Sequence, residues 1–317
     1  MDNSVEPLNL TVPLQYAGQR VDKVLSILLP EYSRSVLQQW LKKGRIVVDG
    51  AQVSQKTVVA GNEVILVDVP PPEPADWPAQ NIALDIVATD PEFFVINKQA
   101  GLVVHPGAGN QNGTLMNGIL SIDHNLRNLP RAGIVHRLDK DTTGLMVLAR
   151  TEAARQSLIQ QLKERTVKRH YWAIIQGVPI SGGTIDQPIG RHRHDRLKMT
   201  VTDSGKPAIT HFRIIEKFQQ HALIEARLES GRTHQIRVHM QFQNMPLLGD
   251  PLYGTRLKIP QDMTEQHITE LSKFKRQALH ARELSFLHPK TGQACHYVAE
   301  PPEDFETVKT ILSSYNS

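Results

Sequence analysis

The chain has 317 residues, and 40% of them are hydrophobic, so it can bury a core and does not belong to the disordered class of proteins. Its single cysteine, Cys295, excludes an internal disulfide and a multi-cysteine zinc site, and it fits the reducing conditions of the cytoplasm. A formal net charge of +4 permits a polyanionic partner without requiring one, and no apolar run reaches the roughly 18 residues of a membrane span.

Residues 1–17 are predicted to form an N-terminal extension. We do not expect it to be a secretory signal, because MDNSVEPLNL is acidic and has too few apolar residues. A small domain is predicted over 18–68, with Ser33 as the candidate N-cap of its second helix. Apolar spacing and turn residues predict its elements: helices at 21–28 and 36–41, and strands at 46–48 and 64–67.

Basic residues are concentrated in this small domain, which has seven Lys or Arg against four Asp or Glu over 18–67. Lys42, Lys43 and Arg45 lie together where the second helix meets the following strand, and Arg34 lies at the start of that helix. A solvated helix end explains such a cluster, since cations there suit the helix dipole. An RNA-phosphate contact explains it equally well.

The pattern GQRVDKVL…SRSVLQQWLKKGRIVVDG…GNEVIL resembles the S4-type RNA-binding domain over nearly its whole length. This resemblance implies a pair of helices and a small sheet that present a basic face to RNA. It makes Arg34, Lys42, Lys43 and Arg45 candidate RNA-binding residues.

A proline-rich stretch, VPPPEPADWPAQN, follows this domain. Because its five prolines cannot lie in a helix or a central strand, residues 69–80 are predicted to be a stiff linker between two domains.

The remaining residues, 81–317, are predicted to form one α+β domain with a mixed, largely antiparallel sheet, because long helices are few and hairpin-like strand spacing is common. The predicted strands are 86–89, 93–97, 134–135, 144–149, 170–176, 208–216, 221–228 and 296–299. The predicted helices are 115–122, 152–165, 237–243 and 263–274.

The stretch GIVHRLDKDTTGLMVLAR places two carboxylates and three basic side chains between two apolar runs. A solvated hairpin and an active-site loop both fit this pattern. The embedded D-x-D-x-T also suggests an aspartyl-phosphate enzyme, but His136 and Arg137 interrupt the apolar strand that such a site requires.

Five ordered blocks favour the active-site loop. HRLDKDTTGLMVLA, VINKQAGLVVHPGAGN, KRHYWAIIQG, SGRTHQIRVHM with MPLLGDPLYG, and RQALHA together resemble pseudouridine synthases of the RluA type. PGAGN and RAGIVHRLDKDTTGLMV are most similar to the D-type branch of that family, which acts on a stem-loop of large-subunit ribosomal RNA. The resemblance implies an isomerase acting on uridines of 23S ribosomal RNA, with the helix 69 stem-loop as the target.

The resemblance also implies chemistry without a cofactor. Asp139 matches the catalytic residue of the family, and Arg237 matches the partner that holds it ionised. Attack by the carboxylate on the anomeric carbon and proton abstraction to form a glycal both remain open.

Three further residues match substrate-handling positions of the family. Tyr171 matches the tyrosine that stacks on the target base, although a core aromatic also fits this position. Arg137 matches the arginine that replaces the extruded base in the RNA helix. Leu279 is a candidate floor for the uracil site, although a buried leucine needs no such role.

Arg191 and Arg193, in GRHRHDRLKM, are candidate phosphate contacts, with a solvated loop as the alternative. No metal site is predicted, because the histidines inside the motifs lack ligand spacing. We expect a monomeric, cytoplasmic enzyme that acts on 23S ribosomal RNA or a pre-50S particle, without a membrane partner. The alternative is an RNA-binding ribosome-assembly factor with an idle active site.

Overall fold

The computed structural model describes residues 7–30, 32, 34–70, 77–107 and 109–315. Ser33, the predicted N-cap, and residues 71–76 of the predicted linker lie outside the described residues. The chain divides into two compact units, Met1–Ala75 and Asp76–Ser317. Within the described part of the chain, no helix is both long and apolar enough to cross a membrane.

The first unit combines two helices with a four-stranded antiparallel sheet in the order β1-β4-β2-β3. Its elements are β1 (Leu8–Thr11), α1 (Val21–Leu28), α2 (Arg34–Lys42), β2 (Ile46–Val48), β3 (Ala51–Gln52) and β4 (Val64–Val67). Strand β1 pairs with β4, so residues within the predicted N-terminal extension belong to this sheet. Both predicted helices and both predicted strands of this unit are present.

The second unit is built on a nine-stranded sheet in the order β5-β6-β7-β14-β8-β13-β12-β9, with β15 paired to β14. Its strands are β5 (Asp85–Thr89), β6 (Phe93–Lys98), β7 (Thr143–Ala149), β8 (Lys168–Gln176), β9 (Gly183–Asp186), β12 (Ile209–Lys217), β13 (His221–Leu228), β14 (Leu279–Leu287) and β15 (Ala294–Val298). Strands β10 (Ile189–Arg191) and β11 (Met199–Val201) form a separate hairpin. The helices are α3 (Leu115–Ile122), α4 (Glu152–Lys163), α5 (Gln235–Phe242), α6 (Glu265–Lys273) and α7 (Glu303–Ser313).

Pairing within the large sheet is antiparallel among the described residues except between β7 and β14, which run parallel. The prediction of an α+β fold with a mixed, largely antiparallel sheet is therefore confirmed.

Strand β7 is buried on both faces, and its alternating side chains join two cores. Met146 and Leu148 pack in the core that includes α3, whereas Leu145 and Val147 pack in the core that includes α4. The sheet therefore lies between two helical layers, and the α3 side carries the cleft described below.

Several details of the prediction for the second unit were wrong. Residues 134–135 do not form a strand, since Ile134 makes only an isolated bridge to Leu148 before the chain enters a loop. Strand β14, in the middle of the sheet, was not predicted, and neither were helix α7 and strands β9, β10 and β11. Asp139 accordingly lies in the loop that leads into β7 rather than at the end of a strand.

Candidate active site

A cleft of about 350 Å³ lies where the loop before β7 meets β8 and the start of α5. Five residues selected from the sequence line this one cleft: Asp139, Arg237, Tyr171, Arg137 and Leu279. They come from separate parts of the chain, so the fold brings together residues that the sequence blocks indicated one by one.

Asp139 and Arg237 form the central ion pair of the cleft. Arg237 Nη1 donates to Asp139 Oδ2 at 2.9 Å, and the exposed fraction of the Asp139 side chain is 17%. Asp139 Oδ1 accepts no hydrogen bond from any described residue. One carboxylate oxygen is therefore held by the guanidinium, while the other is left for a substrate.

A second carboxylate, Asp250, fixes Arg237 from behind. Arg237 Nε and Nη2 donate to the two oxygens of Asp250 at 2.7 and 2.9 Å. Asp250 is buried and also accepts from the backbone N–H groups of Leu252 and Tyr253 at 2.9 and 3.0 Å. This fork-to-fork pairing sets the plane of the guanidinium and aims Nη1 at Asp139.

The charge of Arg237 is stabilised although the side chain is buried. Burial disfavours the guanidinium cation, but hydrogen bonds and charge attraction from Asp250 and Asp139 outweigh it and raise the pKa of Arg237. The guanidinium carbon also lies 5.1 Å from the ring centroid of Tyr253, a cation–π contact. Arg237 is thus a permanent positive charge beside Asp139.

His234 also lies near Asp139, with Nε2 3.9 Å from Asp139 Oδ2. The backbone N–H of Met199 donates to Tyr253 Oη at 2.8 Å, and Tyr253 Oη lies 2.7 Å from His234 Nδ1. Because the hydroxyl oxygen already accepts from the amide, its proton is available to donate to Nδ1. In the neutral imidazole this arrangement places the ring proton on Nε2, the nitrogen that lies 3.9 Å from Asp139.

The loop that carries Asp139 is anchored at several points. Lys98 is fully buried, and its Nζ donates to the carbonyl of Lys140 at 2.8 Å and to two further carbonyls of its own segment. Gln277 Nε2 donates to Thr142 Oγ1 at 2.9 Å, and Thr143 Oγ1 lies 2.8 Å from His280 Nδ1. Lys98 of the VINKQAG block and Gln277 and His280 of the RQALHA block therefore support the loop, whereas Leu279 of the RQALHA block lines the cleft.

Tyr171 and Leu279 are buried in the cleft wall on the neighbouring strands β8 and β14. Burial raises the pKa of the Tyr171 hydroxyl, so the phenol is neutral near pH 7. Arg137 is exposed at the rim. A flat apolar wall below an exposed guanidinium suits a base that enters from outside.

The remaining predicted RNA contacts lie outside the cleft. Arg191 and Arg193 are exposed, Arg191 at the end of β10 and Arg193 in the loop that follows. In the first unit, Lys42 and Lys43 are exposed at the end of α2. Two other arginines there are paired with acids: Arg34 binds the buried Asp22 at 2.8 Å, and Arg45 binds Asp68 at 3.0 Å.

The histidines of the motifs make hydrogen bonds within the fold. His136 Nε2 accepts from the backbone N–H of Val147 at 3.0 Å, and burial lowers the pKa of His136 to about 3. In the described residues, one group could hold a metal ion, formed by His170, Glu225 and Glu283. Glu225 is already bound by two arginines, and the strand alternation places this group on the opposite face of β8 from Tyr171.

Sequence reasoning missed Asp250, Tyr253, Lys98 and Arg169, all of which build or support the cleft. Asp250 and Tyr253 stand three residues apart in MPLLGDPLYG. The backbone N–H of Tyr253 donates to the side chain of Asp250, and an aspartate at the start of a turn is a sequence signal that could have indicated this contact. Arg169 stands two residues before Tyr171 and therefore shares its face of β8.

Comparison with known proteins identifies the family to which this chain belongs. Residues 92–242 match the model of the RNA pseudouridylate synthase family, and residues 19–65 match that of the S4 domain. Ribosomal large subunit pseudouridine synthase D of Xanthomonas campestris pv. campestris is 48% identical over 98% of this chain and 96% of its own length. The chain belongs to the RNA pseudouridylate synthase family. It is therefore an isomerase that converts uridine into pseudouridine in RNA.

Other relatives support the same family assignment. The synthase D of Pseudomonas aeruginosa is 48% identical, covering 95% of this chain and 94% of that protein. Among solved structures, human RNA pseudouridylate synthase domain containing 4 matches with a TM-score of 0.56 and 29% identity, covering 72% of this chain and 93% of that one. The resemblance to the family that the sequence blocks indicated is confirmed, as is the S4-type domain.

Proposed function

We propose that this enzyme isomerises specific uridines of 23S ribosomal RNA, with the helix 69 stem-loop as the target and Asp139 as the catalytic residue. The names of the near full-length relatives support a large-subunit substrate. The observation that carries the catalytic role is the Asp139–Arg237 pair at 2.9 Å inside a cleft with one carboxylate oxygen free. Ribosomal RNA as substrate implies a cytoplasmic protein, and we propose that it acts as a monomer on this RNA or on a pre-50S particle.

The reaction breaks the bond between N1 of uracil and C1′ of the ribose and forms a bond between C5 and C1′. The C5 proton is lost, and N1 gains one, so the change is an isomerisation that needs no oxidant or co-substrate. Asp139 Oδ1 can attack C1′ or remove a sugar proton, and either role requires the ionised carboxylate. Arg237 favours that ionised form, and its own position is held by Asp250.

The other cleft residues handle the nucleotide in this proposal. Tyr171 supplies the face on which uracil stacks, and Leu279 lies beneath the same space. Arg137, at the rim, fills the gap that the extruded base leaves in the RNA. Lys42, Lys43, Arg34 and Arg45 of the S4 domain, with Arg191 and Arg193, contact RNA phosphates.

A pseudouridine map of 23S ribosomal RNA from a strain lacking this protein tests the proposal. We expect specific helix 69 pseudouridines to disappear and to return when the wild-type chain is supplied, but not when Asp139→Asn is supplied. An unchanged map in the deletion strain would favour the alternative, an assembly factor that binds RNA with an idle active site.

A further inference from the structure

One buried guanidinium in the cleft has no counter-ion. Arg169 is 9% exposed, and its Nε is fully buried without a hydrogen-bond partner. Throughout the described ranges, no ion pair or hydrogen bond to its side chain is present. Burying an unpaired charge costs free energy, so a chain keeps one where a ligand supplies the missing partner.

Arg169 faces the same space as the substrate residues. On β8 the buried positions alternate, so Arg169 and Tyr171 lie on one face of the strand, and both line the cleft. Gly231, which also lines the cleft, lies close to the guanidinium, since a Cβ at that position would lie 2.9 Å from Arg169 Nη1. The Gly231 backbone thus leaves the room that the arginine needs.

No acid of the cleft is available to neutralise Arg169. Asp139 is the acidic residue that lines the cleft in the described structure, and Arg237 already binds it. Four other cations line the same space, namely Arg131, Arg137, Arg232 and Arg237. The neighbouring His136 is neutral near pH 7, because burial and then the charge of Arg169 lower its pKa. The missing partner must therefore come from outside the protein.

We propose that Arg169 binds a backbone phosphate next to the extruded uridine, so that the wall beside Tyr171 is a phosphate subsite. This inference rests on the proposed RNA substrate and catalytic cleft. A uracil carbonyl would satisfy hydrogen bonds but leave the buried charge uncompensated, whereas a phosphate supplies both the acceptors and the charge. A nucleotide stacked on Tyr171 carries phosphates on both sides of its sugar, and Arg169 lines the same cleft as Tyr171.

The test combines protein variants with RNA in which one phosphate at a time is made neutral. Stem-loop RNAs that the wild-type enzyme isomerises are prepared with a single methylphosphonate 5′ or 3′ of the target uridine. Dissociation constants and initial rates are measured for wild type, Arg169→Gln, Arg169→Lys and the control Arg256→Gln, which changes an exposed arginine that does not line the cleft.

At one of the two positions, the methylphosphonate is expected to weaken binding by wild type and Arg256→Gln at least about tenfold, as the loss of a charge-assisted hydrogen bond implies. The same replacement should have no effect on Arg169→Gln and a partial effect on Arg169→Lys. Full penalties at both positions in Arg169→Gln would overturn the proposal. The proposal would also be overturned if Arg169→Gln lost sensitivity to a different change, the replacement of the target uridine by 4-thiouridine, and kept its sensitivity to the methylphosphonates. Arg169 would then contact the base.

Thermal unfolding without RNA separates this role from a structural one. Since Arg169 is unpaired in the free protein, Arg169→Gln should unfold at the same temperature as wild type or higher. A clear fall in Tm together with unaltered phosphate penalties would show a structural arginine. A failure of the proposed function is distinguishable from a failure of the phosphate subsite, because in the first case the wild-type enzyme forms no pseudouridine in the stem-loop.

Discussion

Two carboxylates share the guanidinium of Arg237, and their surroundings differ. Asp250 is buried and takes four hydrogen bonds, two from Arg237 and two from backbone N–H groups. Asp139 takes one from Arg237 and is partly exposed to the cleft. We infer that Asp250 positions the arginine, whereas Asp139 is left free to react.

Removing the charge of Asp250 should therefore affect both stability and turnover. In Asp250→Asn the buried Arg237 loses one of its two carboxylates, and breaking such a pair costs about 3 kcal/mol of unfolding free energy. With Nη1 no longer aimed, kcat should fall at least about tenfold while KM for RNA stays near its wild-type value. Urea unfolding and steady-state kinetics measure the two effects.

Asp68→Asn is the matched control, because it breaks an arginine pair on the surface, where Asp68 is 61% exposed. Its expected cost is below about 1 kcal/mol, with unchanged kcat. If Asp250→Asn behaved like this control, Asp250 would have no positioning role.

At the residue scale, local sequence motifs indicated the residues that line the cleft but not the residues that support them. Asp139 and Arg237 stand in motifs that resemble those of a known family. No local pattern marks Lys98, because the loop carbonyl to which its Nζ donates belongs to Lys140, which lies 42 residues further along the chain. The two-residue spacing between Arg169 and Tyr171 could have placed both on one face of the strand, but the absence of a counter-ion for Arg169 is visible only in the three-dimensional structure.

At the scale of elements, strongly patterned segments were predictable and long-range ones were not. The predicted range 115–122 coincides with α3, and the apolar runs near β6, β7 and β13 were found. Strand β14 was missed because Arg282 and Glu283 interrupt its apolar run, and because its partners β7 and β8 lie more than a hundred residues away in sequence. Whether such a segment forms a strand depends on its pairing with distant strands rather than on its local propensity.

The wrong strand at 134–135 has a local cause. Arg131, Ala132 and Gly133 all have positive φ, so the chain arrives at Ile134 through a tight turn. A Cβ on Gly133 would meet the carbonyl oxygen of Ala149 at 1.9 Å, so this backbone lies directly against β7. That close approach sends the chain into a loop and places Asp139 over the cleft.

Strands β12 and β13 are joined by a buried charge whose effect on stability depends on pH. Although burial disfavours the carboxylate, hydrogen bonds from Arg213 and Arg227 outweigh it and lower the pKa of Glu225 to about 2. The stabilisation is thus fully present above the unfolded pKa of about 4.5 and is lost as the pH falls through about 2.

Between pH 5 and pH 2, wild type should lose roughly 2 to 3 kcal/mol more unfolding free energy than Glu225→Gln. Glu225→Gln should also be less stable at pH 7. Chemical unfolding of both proteins across this pH range is the measurement. Parallel curves for the two proteins would contradict the assignment of the buried charge pair.

At the scale of the whole molecule, we expect the S4 domain to contribute phosphate contacts in addition to those proposed for the catalytic unit. Removing one lysine that binds a phosphate should lower the slope of log binding constant against log salt by about 1. Lys42→Gln combined with Lys43→Gln should therefore lower this slope by about 2 and weaken binding, while kcat on saturating RNA is unchanged.

The control replaces two exposed lysines of the second unit, Lys275 and Lys290, which do not line the cleft. That double variant should keep the wild-type salt dependence. Equal slopes for both double variants and wild type would show that the end of α2 does not contact RNA, and that its cations only suit the helix dipole.

The most direct test of the central claim is tritium release from a stem-loop RNA labelled at C5 of its uridines, since isomerisation expels the C5 proton. Asp139→Asn should release no tritium even at enzyme excess, while its dissociation constant for the RNA stays within about twofold of wild type. Release at the wild-type rate from this variant would contradict the assignment of Asp139 as the catalytic residue.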